Sequence, residues 1–193
     1  MQDLKLSIRI YILGASGSGV TTLGAALSAK YQLSHFDVDD FYWYLTDPPY
    51  QQARAPAQRV ELLKNCLPDS HWVISGSMDG WGNEVINLAD MVVYIDTPTP
   101  CRIERLKMRE AALYGDRILS GGDMFAHHQA FLTWAAGYDE GIEAGRNRPR
   151  HDRWLNQLST PVLRVNGELT VEVQVSQIDR AVTFLYKFGP TEV

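Results

Sequence analysis

A short apolar run followed by a glycine-rich turn constrains this chain more than any other feature. Residues Leu6 to Leu13 carry β-branched and aromatic side chains, and Gly14 follows them directly. This pattern predicts a buried strand that ends in a tight turn. Apolar residues then recur at helical spacing from Thr21 to Tyr31, and threonine suits the start of a helix. The N-terminal part of the chain is therefore predicted to form a strand, a loop and a helix.

The loop matches the Walker A pattern G-x-x-x-x-G-K-[ST] at every position except the lysine. Glycine permits backbone angles that turn the N–H groups of such a loop toward phosphate oxygens, at the positive end of the following helix. The predicted nucleotide-binding residues in this loop are Gly14, Ser16, Gly17, Ser18, Gly19, Val20, Thr21 and Thr22. A tight strand-to-helix turn without a ligand is the alternative.

Val20 stands where the pattern has lysine. That lysine normally brings an ammonium group to the β- and γ-phosphates, so its absence should weaken binding and turnover unless other cations replace it. Thr21 stands where the hydroxyl of the pattern ligates Mg²⁺, a cation that prefers oxygen ligands and is shared with the nucleotide phosphates. The predicted cofactors are therefore ATP and Mg²⁺, with Thr21 as the protein ligand of the metal.

Strands and helices continue to alternate along the rest of the chain. Further strands are predicted at 35–39, 72–76, 91–95 and 161–165, and further helices at 57–66, 100–113, 124–144 and 171–188. The central runs are continuously apolar, which is typical of strands covered on both faces. A length of 193 residues suits one domain. The pattern predicts a three-layer α/β/α domain over 1–193 with a five-stranded parallel sheet.

Arg102, Arg105 and Arg109 recur at spacings of three and four in a predicted helix, which places them on one face. Guanidinium groups bind phosphate through paired hydrogen bonds, so this face is a candidate replacement for the missing lysine. The alternative is a solvated surface on which Glu104 and Glu110 pair with the arginines.

Asp37, Asp39 and Asp40 lie at and just after the end of the second predicted strand, at the edge of the sheet where ligands collect. Asp37 and Asp39 are candidates for the group that accepts the proton of a substrate hydroxyl or supports Mg²⁺. The alternative for Asp39 or Asp40 is a role as helix N-cap.

The acceptor is expected to bind between the second and third predicted strands. This region holds the aromatic run 41–44, together with Arg54 and Arg59. The aromatic rings could stack on a substrate ring, or they could pack in the protein interior. The predicted acceptor-binding residues are Asp39, Arg54, Ser77 and Arg117.

The chain resembles the adenylate-kinase-like P-loop NTPases, a group that also contains shikimate and gluconate kinases. In adenylate kinases one strand ends in D-x-P, and arginines follow nine and thirteen positions after that aspartate. Asp96, Arg105 and Arg109 match this spacing. The resemblance implies that Arg105 flanks the adenine and that Arg109 lies near the phosphates. It also implies that Asn166 and Gly167 contact the adenine.

By the same resemblance, residues 106–124 take the place of the LID insertion. The implied activity is an ATP-dependent transfer of a phosphoryl group to a nucleotide, a nucleoside or another small hydroxyl compound. Val20 leaves two alternatives open: a nucleotide-binding module with little turnover, and a slow ATPase without an acceptor. These functions differ in whether an acceptor stimulates the consumption of Mg-ATP.

A basic stretch follows the helix predicted at 124–144 and contains Arg146, Arg148, Arg150 and Arg153. Adenylate kinases have phosphate-binding arginines where the chain returns from the LID. The spacing in this chain does not match theirs, so we interpret the stretch as a solvated face.

Charge and composition limit the partners that this chain is expected to have. A net charge of −5 argues against a nucleic acid partner. The apolar run before the loop is too short for a signal peptide or a membrane span. Cys66 and Cys101 lack metal-ligand spacing and suit a reducing compartment. We therefore expect a cytoplasmic protein whose partners are a nucleotide and a small-molecule phosphoryl acceptor.

Overall fold

The computed structural model describes residues 7–141 and 144–189, and within these ranges a parallel sheet lies between two layers of helices. The strands are β1 (Arg9–Gly14), β2 (Ser34–Asp37), β3 (Trp72–Ser75), β4 (Met91–Asp96) and β5 (Val162–Asn166). The helices are α1 (Val20–Tyr31), α2 (Val38–Tyr42), α3 (Pro56–Cys66), α4 (Asn83–Ile86), α5 (Thr99–Tyr114), α6 (Phe125–Ala136), α7 (Arg148–Leu155) and α8 (Val171–Phe188). The predicted α/β fold with a five-stranded parallel sheet is confirmed.

The strands are ordered β2-β3-β1-β4-β5, and every neighbouring pair is parallel. In the centre of the sheet, Ile12 of β1 is in register with Ser75 of β3 and with Val93 of β4. Because all strands run the same way, the loops after β1, β2, β3, β4 and β5 emerge at one edge. The polar residues of these loops therefore lie along one side of the molecule.

In the described residues the sheet has one hydrophobic cluster on each face, and a smaller third cluster lies between α5 and α6. On one face, Leu23 of α1 and Ile178 of α8 pack with Ile12, and all three side chains are fully buried. On the other face, Leu63 of α3 and Leu155 of α7 belong to a second buried cluster. Burying each such side chain stabilises the fold by about 1.5–3 kcal/mol. The loop after β1 is thus anchored by a strand and a helix that are both fixed in the core.

Several element boundaries differ from those predicted. The strand predicted at 35–39 ends at Asp37, because the Asp37 carboxylate caps α2 by accepting from the Asp39 N–H. The helix predicted at 124–144 ends at Ala136, and Gly137 follows it. Residues 142 and 143 of that prediction, and Leu6 of the first strand, lie outside the described residues. The short helices α4 and α7 had no sequence prediction.

Within 7–141 and 144–189, no helix combines the length and the apolar character that crossing a membrane requires.

Candidate active site

The loop between β1 and α1 has the backbone of an anion-binding turn. Gly17 has φ of 80° and Gly19 has φ of 101°, a region that residues with a Cβ rarely adopt. A Cβ on Gly17 would lie 2.6 Å from the carbonyl oxygen of Arg102. Glycine at position 17 is therefore required both by the backbone conformation and by the close approach of α5.

The first turn of α1 leaves N–H groups available for an anion. Its N-cap is Gly19, which has no side chain to accept a hydrogen bond, and the first bond within the helix runs from Leu23 N to Gly19 O at 3.0 Å. The N–H groups of Val20, Thr21 and Thr22 precede that bond, so they have no partner inside the helix. Together with the positive end of the helix dipole, they suit a phosphate group.

Thr21 and Asp37 form a pair of oxygen ligands beside this turn. The Thr21 hydroxyl donates to Asp37 Oδ2 at 2.8 Å, and Asp37 Oδ1 accepts from Asp39 N at 3.0 Å. No cluster of three or more His, Cys, Asp or Glu side chains suited to a metal occurs in the described part of the chain. Mg²⁺ that is shared with nucleotide phosphates needs only one or two protein ligands, so the hydroxyl and the carboxylate fit it. The N-cap of α2 is Asp37, not Asp39 or Asp40 as the sequence alternative had it.

Asp39 lies in the crevice next to this pair, although its surface is reached by solvent. The surrounding protein desolvates the carboxylate of Asp39 and so raises its pKa, and the nearby negative charge of Asp37 raises that pKa further. Arg146 and Arg109 oppose this shift through their positive charges. Two cations from distant parts of the sequence therefore act on the same carboxylate.

Arg102 does not belong to the cationic face predicted on α5. It is fully buried, and its Nε donates to the Thr97 carbonyl oxygen at 3.0 Å. Its terminal nitrogens donate to Ser16 O, Ala135 O, Thr99 Oγ1 and Asp139 Oδ2. All five of its N–H groups thus have acceptors, which leaves none for a phosphate. Arg102 instead joins α5 and α6 to the loop.

Arg105 connects the loop after β1 to the turn after β5. Its Nη1 donates to Ser18 O at 3.4 Å and its Nη2 donates to Gly167 O at 2.9 Å. The side chain of Asn166 accepts a hydrogen bond from Glu168 N at 2.8 Å, and this bond within the turn stabilises it. A Cβ on Gly167 would lie 1.8 Å from Thr97 Oγ1, which requires glycine there.

A cavity of about 360 Å³ opens between these two segments. Its lining includes Ser18, Gly19, Thr22, Arg105, Gly167 and Gln174. This volume lies within the range of small-molecule sites. Part of the predicted phosphate-binding loop and Gly167 of the predicted adenine-binding turn therefore border one common cavity with Arg105, whereas Asn166 is not among its lining residues.

Arg109 and Arg117 lie farther along the predicted LID-like segment. Arg109 Nη2 is 3.9 Å from Glu110 Oε1. Desolvation raises the pKa of both Asp39 and Tyr50, and the positive charge of Arg109 opposes this shift at both groups, so Arg109 lies near them. Arg117 pairs with Asp123 in its own segment and, at 2.7 Å, with Asp47 in the loop after α2. The LID-like segment thus touches the region predicted to hold the acceptor.

The predicted acceptor residues have different surroundings. Arg54 Nη1 donates to the carbonyl oxygens of Asp40, Phe41 and Trp43, so it closes the C-terminal end of α2. Ser77 lies half-buried in the turn after β3.

Arg59, which the sequence also suggested, is buried beside aromatic rings. Its guanidinium group lies 3.6 Å from the centre of the Tyr42 ring and 5.5 Å from that of Trp81. Arg59 Nε donates to Arg54 O at 2.6 Å. The aromatic residues therefore pack with an arginine at the carboxyl edge of the sheet.

The basic stretch after α6 fits the predicted solvated face only in part, since Arg150 and Arg153 are exposed whereas Arg146 and Arg148 are half-buried. Arg146 Nη2 donates to Ser16 Oγ at 2.7 Å, in the phosphate-binding loop itself. Arg148 pairs with Asp96 and Asp139, and Arg150 pairs with Asp79. Asp79 lies after β3, Asp96 at the end of β4 and Asp139 after α6. These aspartates are far apart in the sequence and come together only in the folded chain. The nine- and thirteen-residue spacings that identified Arg105 and Arg109 gave no signal for Arg146.

No family model matches the chain. It is 37% identical over 169 residues to the uncharacterized protein YqaC of Bacillus subtilis (strain 168), an alignment that covers 88% of this chain and 94% of YqaC. The chain belongs to the YqaC family. A weaker similarity, 28% over 116 residues, links it to the cytidylate kinase of Pyrococcus abyssi (strain GE5 / Orsay). That match covers 52% of this chain and 60% of the kinase.

Solved structures of kinases share the fold. The shikimate kinase of Aquifex aeolicus vf5 superposes with a TM-score of 0.56 and 19% identity, covering 94% of this chain and all (100%) of the kinase. A gluconokinase of Sinorhizobium meliloti 1021 gives a TM-score of 0.53 and 13% identity, covering 93% of this chain and 96% of that chain. At these identities the likeness establishes a P-loop kinase-like fold with three α/β/α layers.

Proposed function

We propose that this chain is an ATP-dependent phosphotransferase that acts on a small-molecule acceptor and uses Mg²⁺. The observation that carries the proposal is the hydrogen bond between Thr21 Oγ1 and Asp37 Oδ2, 2.8 Å long, beside the uncapped first turn of α1. This hydrogen bond places a hydroxyl and a carboxylate next to N–H groups that have no partner in the helix. N–H groups bind phosphate oxygens, and hydroxyl and carboxylate oxygens bind Mg²⁺.

Each part of the site has a role in this proposal. The N–H groups of the loop and of Val20, Thr21 and Thr22 bind the phosphate chain, and Thr21 and Asp37 hold Mg²⁺. When bound, Mg²⁺ neutralises charge on the phosphate oxygens during transfer. The nucleobase occupies the cavity lined by Arg105 and Gly167, and Asn166 holds the turn that carries Gly167. Catalysis then consists of positioning and charge stabilisation.

Asp39 is the proposed base for the acceptor hydroxyl. Desolvation by the surrounding protein and the negative charge of Asp37 raise the pKa of its carboxyl group, which makes the carboxylate a better proton acceptor than an aspartate with the ordinary pKa. Arg109 lies near Asp39 and would orient the phosphoryl group. The acceptor would lie beside Arg54, Ser77 and Arg117, with Tyr42 and Arg59 on the side of α3.

A second candidate function is a nucleotide-binding module with little turnover. The observation that favours it is the position of the Val20 side chain, which packs against the hydrophobic core beside α1. An apolar side chain in that place supplies no charge to the phosphates.

The test separates these two functions by measuring binding and turnover in the same samples. Calorimetric titration with ATP, with and without Mg²⁺, measures binding. ADP formation is then followed with a panel of nucleotides, nucleosides and small hydroxyl acids. Acceptor-stimulated ADP formation supports the phosphotransferase, whereas binding without ADP formation favours the module. Thr21→Ala should lose the Mg²⁺-dependent part of the ATP affinity, and Thr183→Ala on the exposed side of α8 is the matched control.

A further inference from the structure

The phosphate-binding loop lacks the cation that its sequence pattern normally supplies, because position 20 is valine. A triphosphate carries several negative charges, and backbone N–H groups contribute only partial positive charge. A lysine-independent site therefore needs a cation from another element. Within the described ranges, three arginines hydrogen-bond to residues 16–18 of the loop: Arg102, Arg105 and Arg146.

Two of these three arginines already have structural roles. Arg102 is fully buried, and each of its five N–H groups has an acceptor. Arg105 donates to two backbone carbonyl oxygens, those of Ser18 and Gly167, and it lines the cavity proposed for the nucleobase. Arg102 therefore has no N–H group left for a phosphate, and Arg105 is already bonded to the turn after β5 beside the cavity proposed for the nucleobase.

Arg146 differs from both in its free hydrogen-bonding capacity. Its hydrogen bond to the loop ends on a hydroxyl, Ser16 Oγ, at 2.7 Å. The Nε atom of Arg146 is buried and has no acceptor among the residues that the structure describes. A buried N–H of a charged group without an acceptor is costly, so such a group is stabilised if a bound ligand supplies the acceptor.

The surroundings of Arg146 hold its guanidinium group at the loop. It lies 5.2 Å from the centre of the Trp134 ring of α6, and the Trp134 Nε1 donates to Ala144 O at 3.1 Å. A guanidinium group stacked on an indole keeps its charge and its fork of donors while losing little conformational freedom.

We propose that Arg146 takes the place of the Walker lysine by donating to the nucleotide phosphate oxygens beside Ser16. This inference rests on the proposed function, since it assigns a residue of the same nucleotide site. Arg146 forms no covalent bond in the reaction. It supplies the charge that Val20 cannot supply, from the segment between α6 and α7.

The test combines the loss of Arg146 with the return of the lysine. Arg146→Gln removes the charge but keeps a planar polar side chain at this position. The Kd for Mg-ATP, measured by calorimetry, should rise by about 10- to 150-fold in this variant, because hydrogen bonds to charged groups contribute about 1.5–3 kcal/mol. Arg153→Gln is the matched control on the same stretch, since Arg153 is exposed. The control should bind like the wild type.

The decisive protein is the double variant Val20→Lys with Arg146→Gln. If a lysine at position 20 and Arg146 both bind the phosphate oxygens, the lysine restores most of the affinity lost in Arg146→Gln. Val20→Lys alone then changes the Kd of the wild type for Mg-ATP little. A purely structural role for Arg146 would not be rescued by a lysine on α1. A double variant as weak as Arg146→Gln would overturn the proposal.

Two other results would also overturn it. The first is wild-type affinity in Arg146→Gln, and the second is a thousandfold gain in affinity or turnover from Val20→Lys alone. The second result remains decisive even if Arg146→Gln fails to fold. A wild-type protein that binds no ATP would instead overturn the proposed function itself, which separates the two failures.

Discussion

Asp37→Asn tests the proposed metal site with little change to the fold. The wild-type carboxylate accepts from Thr21 Oγ1 at 2.8 Å and from Asp39 N at 3.0 Å. Asparagine keeps a carbonyl oxygen for the N-cap of α2, and it is as good an N-cap as aspartate. We therefore expect the free energy of unfolding to change by less than about 0.5 kcal/mol. What the substitution removes is the negative charge at the proposed metal site.

The expected effect of Asp37→Asn is a loss of affinity for Mg-ATP. Interactions of charged groups of this kind contribute about 1.5–3 kcal/mol, so the Kd for Mg-ATP should rise about 10- to 150-fold. In EDTA the Kd for ATP should stay unchanged or fall, because a negative charge near the phosphates has gone. Asp37→Ala should in addition lose about 1 kcal/mol of stability with the cap.

Calorimetric titrations with ATP in Mg²⁺ and in EDTA measure this difference, and urea unfolding measures the stability of each variant. Asp69→Asn is the matched control, because Asp69 is exposed in the segment between α3 and β3. An equal loss of affinity in Mg²⁺ and in EDTA would refute the assignment of Asp37 to the metal. So would wild-type affinity for Mg-ATP in Asp37→Asn.

Three further predictions concern the loop, α5 and α7. Gly17→Ala should destabilise the fold by about 1–3 kcal/mol and abolish ATP binding, because Gly17 has a positive φ and the carbonyl oxygen of Arg102 lies close to it. The control is Gly115→Ala, because Gly115 also has a positive φ but has open space around it. This variant should keep ATP binding in the same titration. Arg102→Met should lower the free energy of urea unfolding by about 3 kcal/mol, because the acceptors of a fully buried cation lose their partner. His151 is buried and its pKa is lowered to about 4, so the native state holds it neutral. Stability from this group is present above the ordinary histidine pKa and is lost as pH falls toward 4, by about 3 kcal/mol at most. The stability difference between the wild type and His151→Phe should narrow by that amount between pH 7 and pH 4, and a constant difference would contradict the assignment.

The sequence was sufficient for the parts of the site that local pattern determines. The strand, the glycine loop and α1 are consecutive, so composition and spacing alone placed Thr21 at the start of a helix. The continuous apolar runs of β3 and β4 likewise predicted a sheet covered on both faces. The positions of Arg105 and Gly167 around one cavity agree with the spacing that the resemblance supplied.

The sequence was insufficient where a contact joins distant segments. Ser16 and Arg146 are 130 positions apart, and their hydrogen bond depends on how α6 and the following segment return to the loop. The spacing of Arg102 in the sequence is the spacing expected for a cation on the exposed face of α5, but the packing of α6 on α5 buries its side chain. No periodicity separates these two outcomes, because both residues are simply arginines in a polar sequence context.

The central claim is that the loop after β1 holds a nucleotide through its phosphate chain. The most direct measurement is calorimetric titration of the wild-type protein with ATP, ADP, AMP and adenosine at the same Mg²⁺ concentration. The account predicts that affinity falls with each phosphate removed, because the loop N–H groups, Thr21 and Asp37 all act on phosphate or on its metal. Equal affinity for ATP and adenosine, or no binding of any of the four, would contradict it.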